Sequence, residues 1–95
     1  MTLLLGAFPT EFDPAKDVTN QSKHGLSLAK SDEFDLSTSK IQISKNSLSH
    51  ELRYVATGFI GSRLHVMVYC HNSDAIRVIS LRKANNREIR KYYAK

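Results

Sequence analysis

The residues of this chain with the clearest chemical potential are the lysines and arginines near its C-terminus. Seven of these side chains lie between Arg77 and Lys95, where the only acid is Glu88. The other residues carry seven bases and eight acids, so the formal net charge of +5 arises from this segment. A localised positive field attracts polyanions. The segment therefore predicts a partner that is RNA, DNA or an acidic protein.

The other residue types that support catalysis follow no familiar pattern. The four histidines lack the spacings H-x-H and H-E-x-x-H, and there is no C-x-x-C, so the sequence predicts neither a metal site nor a cofactor. It contains no glycine-rich phosphate loop, and Ser80 is not part of a recognisable Ser–His–Asp set. The single cysteine, Cys70, rules out an intramolecular disulfide and fits a reducing compartment. Since it alternates in phase with Val66 and Val68, it is interpreted as a buried thiol rather than a reactive one.

Two helices are predicted from the residues at their ends. Asp13 can accept hydrogen bonds from the first free N–H groups, and Pro14 suits the first helical position. Gly25 supplies the left-handed residue that ends such a helix. Near the C-terminus, Asn85 and Glu88 have the spacing of a capping box. A basic helix should follow, and at least one of its two tyrosines, at positions 92 and 93, should pack on the sheet.

Alternating apolar residues predict an antiparallel meander between these helices. Its strands run from Leu52 to Phe59, from Leu64 to Cys70 and from Ala75 to Arg82. Gly61-Ser62 has the signature of a type II′ hairpin turn, and residues 72–74 predict the next turn.

The segment before the meander is less regular. Ser27 to Phe34 predicts a short helix, and Ser37 to Ser49 predicts a short edge strand around Ile41 and Ile43, followed by a flexible loop. The predicted fold class is α+β: N-terminal helices, an antiparallel meander and a C-terminal basic helix, in a single domain of residues 1–95. The run Leu3-Leu4-Leu5 is too short to span a bilayer and has no basic segment before it. We therefore expect a cytoplasmic protein that is not inserted in a membrane.

Three motif blocks occur in order along most of the chain. The first is Glu11-Phe12-Asp13-Pro14-Ala15-Lys16, followed by Asn20-x-x-Lys23-His24-Gly25. The second is Glu51-x-Arg53-Tyr54-x-x-x-Gly58, followed by Leu64 to Tyr69. The third is Ile76-Arg77-Val78-Ile79-Ser80-x-Arg82-Lys83-Ala84, with Glu88 and Tyr92 beyond it. In this order and spacing the blocks resemble the BrnT family, toxins of type II toxin–antitoxin systems with a RelE-like ribonuclease fold. Phe12 replaces the usual tryptophan, and residues 26–49 match poorly.

The resemblance implies a ribonuclease that needs no metal ion, in which the 2′-OH of the RNA attacks the adjacent phosphate. Guanidinium groups would neutralise the charge that develops on that phosphate. The candidates for proton transfer are His24, His65, Glu51, Glu88, Tyr92 and Tyr93. The candidate catalytic residues are Arg53, Arg77, Arg82 and His24. The candidate RNA-binding residues are Lys23, Lys83, Arg87, Arg90 and Lys91.

Several of these residues have a structural alternative. His24 and Lys23 stand where a cation interacts favourably with the last carbonyls of a helix. Glu88 is interpreted as a capping acid rather than a base, and His65 as a solvated strand residue. On the last strand, Arg77 and Arg82 have opposite parity and need not share a side of the sheet.

The resemblance also implies a cognate BrnA-type antitoxin, mRNA as the substrate, inhibition of translation, and operator DNA bound only through the toxin–antitoxin complex. Two other functions stay open at this point. One is a non-catalytic module that binds RNA or a partner. The other is a DNA-binding domain, although the sequence has no helix-turn-helix signature. Cleaved RNA ends would distinguish the enzyme from the binding module.

Overall fold

The computed structural model describes residues 3–71 and 74–94, which form a five-stranded sheet with helices at both ends of the chain. The strands are β1 Thr10–Glu11, β2 Phe34–Ile43, β3 Tyr54–Ile60, β4 Arg63–His71 and β5 Ile76–Lys83. The helices are α1 Pro14–His24 and α2 Asn86–Tyr93, with 3-10 helices at Leu5–Ala7 and Leu28–Glu33. The strand order is β1-β5-β4-β3-β2. The α+β class is confirmed, but the sheet is mixed rather than wholly antiparallel, because β1 pairs with β5 in parallel.

The predicted helix ends are confirmed by their hydrogen bonds. The Asp13 carboxylate accepts from the Ala15 N–H at 2.8 Å. Gly25 ends α1 with a φ of 70°, a conformation that a side chain would strain. At the start of α2, the Asn85 side chain accepts from the Glu88 N–H, and the Glu88 carboxylate accepts from the Asn85 N–H. Both halves of the capping box are therefore formed.

The hairpin between β3 and β4 is also confirmed. Ile60 pairs directly with Arg63, which leaves the two-residue turn that the sequence predicts. Gly61 has a φ of 60°, and no non-glycine residue among those described has a positive φ. A type I′ turn needs two such residues and a type II′ turn needs one, so the geometry fits type II′. The predicted turn at 72–74 includes Asn72 and Ser73, which lie outside the described residues.

The segment before the meander departs from the prediction. The short helix is a 3-10 helix, and β2 begins at Phe34, so the edge strand spans ten residues instead of a short patch around Ile41. Its pairing with β3 is interrupted between Asp35 and Lys40. The chain then turns between β2 and β3, where the Ser47 hydroxyl bonds to both backbone groups of Arg53.

Apolar side chains pack on both sides of the sheet. The larger cluster lies beneath the N-terminal elements and includes Leu5, Leu28, Phe34, Ala56, Met67, Tyr69, Val78 and Leu81. The smaller cluster lies beneath α2 and consists of Leu64, Val66 and Ala84, with Ile89 and Tyr92 packed against it. Tyr92 thus packs the helix on the sheet as predicted, while Tyr93 is 65% exposed.

Burial on both sides explains one correct prediction and one wrong one on β4. Cys70 is buried, as predicted, and burial raises the pKa of its thiol. His65 is buried as well, so its interpretation as a solvated residue is wrong. Its Nδ1 lies 2.9 Å from the Arg63 carbonyl oxygen, and burial lowers its pKa. No helix among residues 3–71 and 74–94 is long and apolar enough to cross a membrane.

Candidate functional site

A register shift in β5 decides which basic side chains share a side of the sheet. The pairs flanking the shift are Val68–Ser80 and Tyr69–Val78. Ile79 is therefore the extra residue of a β-bulge, and such a residue reverses the alternation of side chains along its strand. As a result, Arg77 lies on the same side as Arg82, despite the opposite parity of the two positions in the sequence. We call this the open side of the sheet, because α2 covers only part of it.

Beside α2, the open side of the sheet contains a basic groove. A cavity of about 470 Å³ lies between α2 and strands β2 and β3. Its basic residues are Lys40, Arg87 and Lys91. Lys40 also lies 5.0 Å from the centre of the Tyr92 ring, a cation–π contact that fixes its position beside the helix. We call this cavity the helix groove, and it offers three cations to a polyanion.

Arg82 reaches the helix groove only through an ion pair. Its two terminal nitrogens donate to the two carboxylate oxygens of Glu88, each at 2.7 Å. Glu88 is also the capping acid of α2, so one carboxylate joins β5 to the start of the helix. Hydrogen bonds from Arg82, partly opposed by burial, lower the pKa of Glu88 to about 2. Glu88 therefore stays ionised near neutral pH, and the Arg82 guanidinium is engaged.

The other end of the open side leads into a larger cavity of about 740 Å³, which we call the end cavity. The residues lining it are Leu48, Ser49, His50, Glu51, Leu52, Tyr54, Cys70, His71 and Arg77. Besides burial, the charge of Glu51 raises the pKa of the Cys70 thiol, whereas the charges of Arg77 and Arg53 lower it. On the open side, the end cavity thus combines the Arg77 guanidinium with the Glu51 carboxylate and the His50 imidazole.

The guanidinium groups at the end cavity are paired in the free protein. Arg53 donates to Glu51 at 3.1 Å, with both side chains largely buried. Arg77 lies 3.4 Å from Glu11 of β1, and both of these side chains are about half exposed. The looser pair leaves Arg77 the easier of the two to transfer to a phosphate.

The predicted catalytic arginines lie at two different places on the open side, because Arg77 and Arg82 are far apart along β5. Arg77 and Arg82 are five residues apart, which corresponds to about 16 Å of extended chain. Each is held in its place by its own glutamate, Arg77 by Glu11 and Arg82 by Glu88. Arg77 lines the end cavity, and Arg53 pairs with Glu51 of its wall, whereas Arg82 belongs with the helix groove.

His24 and Lys23 lie at a third place, beyond the edge of β5. They line a cavity of about 420 Å³ together with Ile79 and Ser80. The Asn20 side chain holds α1 there, since its amide donates to the Leu81 carbonyl at 2.8 Å and accepts from the Leu81 N–H at 3.0 Å. The structure places His24 beside the bulge, in neither the end cavity nor the helix groove.

Two other predicted RNA-binding residues are set apart. Lys83 pairs with the buried His65, which places it on the opposite side of the sheet. Arg90 is exposed on α2 but does not line the helix groove. Of the five predicted RNA-binding residues, the structure thus brings together Arg87 and Lys91.

Sequence reasoning missed two histidines of the end cavity, His50 and His71. His50 directly precedes Glu51, the first residue of the second motif block, and His71 ends β4 opposite Ile76. Because Arg77 pairs with Cys70, the His71 and Arg77 side chains leave the sheet on opposite sides. Among the described residues, no three His, Cys, Asp or Glu side chains are grouped so that they could hold a metal ion.

Comparison with known protein families agrees with the three motif blocks found in the sequence. A family model described as "Ribonuclease toxin, BrnT, of type II toxin-antitoxin system" matches residues 12–88, most of the chain. Among curated proteins, none matches this chain.

Proposed function

This chain belongs to the BrnT family of ribonuclease toxins of type II toxin–antitoxin systems, and from this premise we propose that it cleaves mRNA at the end cavity and so inhibits translation. The observation that carries the proposal is the composition of that cavity. Arg77 lines it together with Glu51 and His50. A cation for the phosphate and groups for proton transfer are the requirements of RNA cleavage by an internal nucleophile.

In the proposed reaction, the 2′-OH of the RNA attacks the adjacent phosphorus and the bond to the 5′-oxygen of the next nucleotide breaks. The products are a 2′,3′-cyclic phosphate and a free 5′-hydroxyl. One group of the end cavity accepts the 2′-OH proton, and another donates a proton to the leaving oxygen. Glu51 and His50 are the candidates for these transfers. Arg77, with Arg53 behind it, neutralises the charge on the phosphorane, since a guanidinium stays charged and contacts two phosphate oxygens at once.

The helix groove extends the proposal to the rest of the RNA and to the antitoxin. Lys40, Arg87 and Lys91 bind phosphates that flank the cut. An acidic segment of a BrnA-type antitoxin covers the same cations and so keeps RNA out, a competition that salt weakens. In this proposal the protein contacts operator DNA only through the antitoxin.

The test compares Arg77→Ala with Lys45→Ala, which also removes one positive charge but concerns a residue that does not line the end cavity. Each variant is induced in bacteria, growth is followed and RNA 5′ ends are mapped. We expect wild type and Lys45→Ala to arrest growth and to generate new 5′-hydroxyl ends. Arg77→Ala should lower the cleavage rate of purified protein about 100-fold or more, as loss of one transition-state contact does. Unchanged cleavage by Arg77→Ala would place the reaction elsewhere.

A non-catalytic binding module is the second candidate, and one observation favours it. Each of the three predicted catalytic arginines is paired with a glutamate in the free protein: Arg53 with Glu51, Arg77 with Glu11 and Arg82 with Glu88. The same experiment decides between the two functions. Normal growth and intact RNA, with folded wild-type protein that binds RNA, would identify the binding module.

A further inference from the structure

Lys83 lies among other cations on the side of the sheet opposite to the open side, which we call the core side. It pairs with His65, and Arg63 lies two residues before His65 on β4, so both side chains leave the sheet on the core side. Lys30 belongs to the 3-10 helix Leu28–Glu33, which packs against β5 on that side. Burial lowers the pKa of His65, and the charges of Arg63, Lys83 and Lys30 lower it further, so these cations lie around the imidazole. We call Lys30, Arg63 and Lys83 the basic corner.

Two of the three charges in the basic corner have no counter-charge. Lys30 is paired with Glu33 at 2.9 Å. Among the described residues, neither Arg63 nor Lys83 forms an ion pair, although both side chains are exposed. They differ in this respect from the predicted catalytic arginines, each of which is paired with a glutamate. Like charges that are held near one another repel, and a bound anion relieves that repulsion.

The Arg63 guanidinium is held in place by the backbone. One of its terminal nitrogens donates to the Ala84 carbonyl at 2.7 Å, and its Nε lies 3.4 Å from the Leu64 carbonyl oxygen. Ala84 directly follows Lys83, so these bonds keep the guanidinium at the end of β5. A guanidinium has five N–H donors, and those that the carbonyls do not use are available to an anion.

The basic corner continues the row of cations in the helix groove. Lys83 ends β5, and Arg87, which lines the helix groove, follows four residues later in α2. An RNA strand whose phosphates lie in the helix groove can therefore pass the start of α2 and reach Lys83 and Arg63. The corner is remote from the end cavity, because Lys83 and Arg77 are six residues apart on β5, about 20 Å of extended chain, and lie on opposite sides of the sheet.

We propose that the basic corner binds backbone phosphates of RNA beyond the segment that is cleaved, so that long RNA is held at a second surface. This inference rests on the proposed function and adds how much of the RNA the protein contacts. A phosphate backbone is recognised by charge alone, whereas protein interfaces bury apolar side chains at their centre. Among the described residues, no large exposed apolar side chain belongs to β4, β5 or the 3-10 helix Leu28–Glu33. The corner therefore fits RNA better than an acidic protein segment.

The test measures how salt weakens RNA binding in the absence of cleavage. Two 2′-O-methyl RNA probes, which lack the attacking hydroxyl, are labelled for fluorescence anisotropy. The short probe fills only the end cavity, and the long probe extends through the helix groove to the basic corner. Lys83→Gln and Arg63→Gln each remove one charge, and Lys83→Arg keeps it. Lys45→Gln is the control, because Lys45 is exposed and lines neither the end cavity nor the helix groove.

The measured quantity is the slope of the logarithm of the binding constant against the logarithm of the salt concentration. For the long probe, we expect Lys83→Gln and Arg63→Gln each to reduce this slope by about 0.7, the value for one lost phosphate contact on a single strand. Both variants should bind the short probe with the wild-type slope. Lys83→Arg and Lys45→Gln should keep the wild-type slope with both probes.

An unchanged slope of Lys83→Gln with the long probe, or an equal reduction with both probes, would overturn the second surface while leaving the proposed ribonuclease intact. The inference is also overturned if Lys83→Gln binds RNA like wild type but loses affinity for the antitoxin, since the corner would then be a protein interface. Reduced slopes as expected, combined with wild-type protein that does not cleave RNA, would support the basic corner and refute the proposed function.

Discussion

Replacement of Glu88 by glutamine should separate the two roles of this carboxylate. Glutamine is accepted at the same position of a capping box, so Glu88→Gln keeps the cap of α2 and removes the ion pair with Arg82. We expect the variant to be less stable than wild type at pH 7, because the guanidinium of a partly buried arginine then loses its charged partner.

The size of the loss follows from the pKa. In the folded protein the pKa of Glu88 falls from 4.5 to about 2. At about 1.4 kcal/mol for each tenfold change in proton affinity, this gives an upper limit of about 3 kcal/mol. The Glu88 side chain is 24% exposed and that of Arg82 is 36% exposed. Solvent screening therefore reduces the expected loss to about 1–2 kcal/mol.

The pH dependence has a definite sign. Because folding depresses the pKa of Glu88, its contribution is fully present above pH 4.5 and is lost as the pH falls towards 2. Urea unfolding of wild type and Glu88→Gln between pH 7 and pH 2 measures this difference. The free energies of unfolding should differ by about 1–2 kcal/mol at pH 7 and should converge near pH 2.

A surface pair supplies the control. Lys30 and Glu33 are 2.9 Å apart, but their side chains are 47% and 58% exposed. Glu33→Gln should therefore change the free energy of unfolding by less than about 0.5 kcal/mol at any pH. If Glu88→Gln behaved like Glu33→Gln, or if its cost were the same at pH 7 and pH 2, the ion pair would not stabilise the fold in the way the geometry indicates.

Two further substitutions test the packing that positions the site. Asn20→Ala removes both hydrogen bonds to the Leu81 backbone and should lower the free energy of unfolding by about 2–3 kcal/mol in urea titrations; a loss below about 0.5 kcal/mol would show that water replaces the amide. Gly58→Ala places a Cβ 2.8 Å from the Phe34 Cζ and should cost about 1–3 kcal/mol by thermal unfolding. In a Phe34→Leu background that cost should shrink, and an equal cost in both backgrounds would contradict the clash.

Local signals in the sequence predicted the ends of the helices and the hairpin. The cap of α1 depends on neighbours within two residues, the capping box of α2 on residues three apart, and the turn on Gly61 with its successor. These interactions form within one short segment, so the residue types there are enough to predict them. The start of β2 and the parallel pairing of β1 depend instead on strands distant in the chain. No residue type within either segment specifies them.

In the candidate site, too, some features follow from local residues and others from the pairing of distant strands. The sequence drew attention to Arg53 and Arg77; in the structure Arg77 lines the end cavity, and Arg53 pairs with Glu51 of the same cavity wall. The bulge is visible in the spacing of the buried residues on β5. Val78 and Leu81 are both fully buried but lie three positions apart, which breaks the period of two expected for a regular strand. That break in apolar phase is what turns Arg77 towards the open side. The side of the sheet that His71 occupies, opposite Arg77, follows only from the register between β4 and β5.

The Asn20 amide has a consequence for how this sheet meets other chains. It occupies the N–H and the carbonyl of Leu81 on the outer edge of β5, so a foreign strand could add there only by displacing α1. The opposite edge, β2, is covered at its start, where the Leu36 N–H donates to the Leu3 carbonyl and Leu4 forms an antiparallel bridge with Asp35. Backbone pairing with another molecule is thereby directed to the later part of β2, residues 40–43. Two copies joined there would form a two-fold pair whose β5 edges stay closed by Asn20, which favours a dimer over a growing fibre.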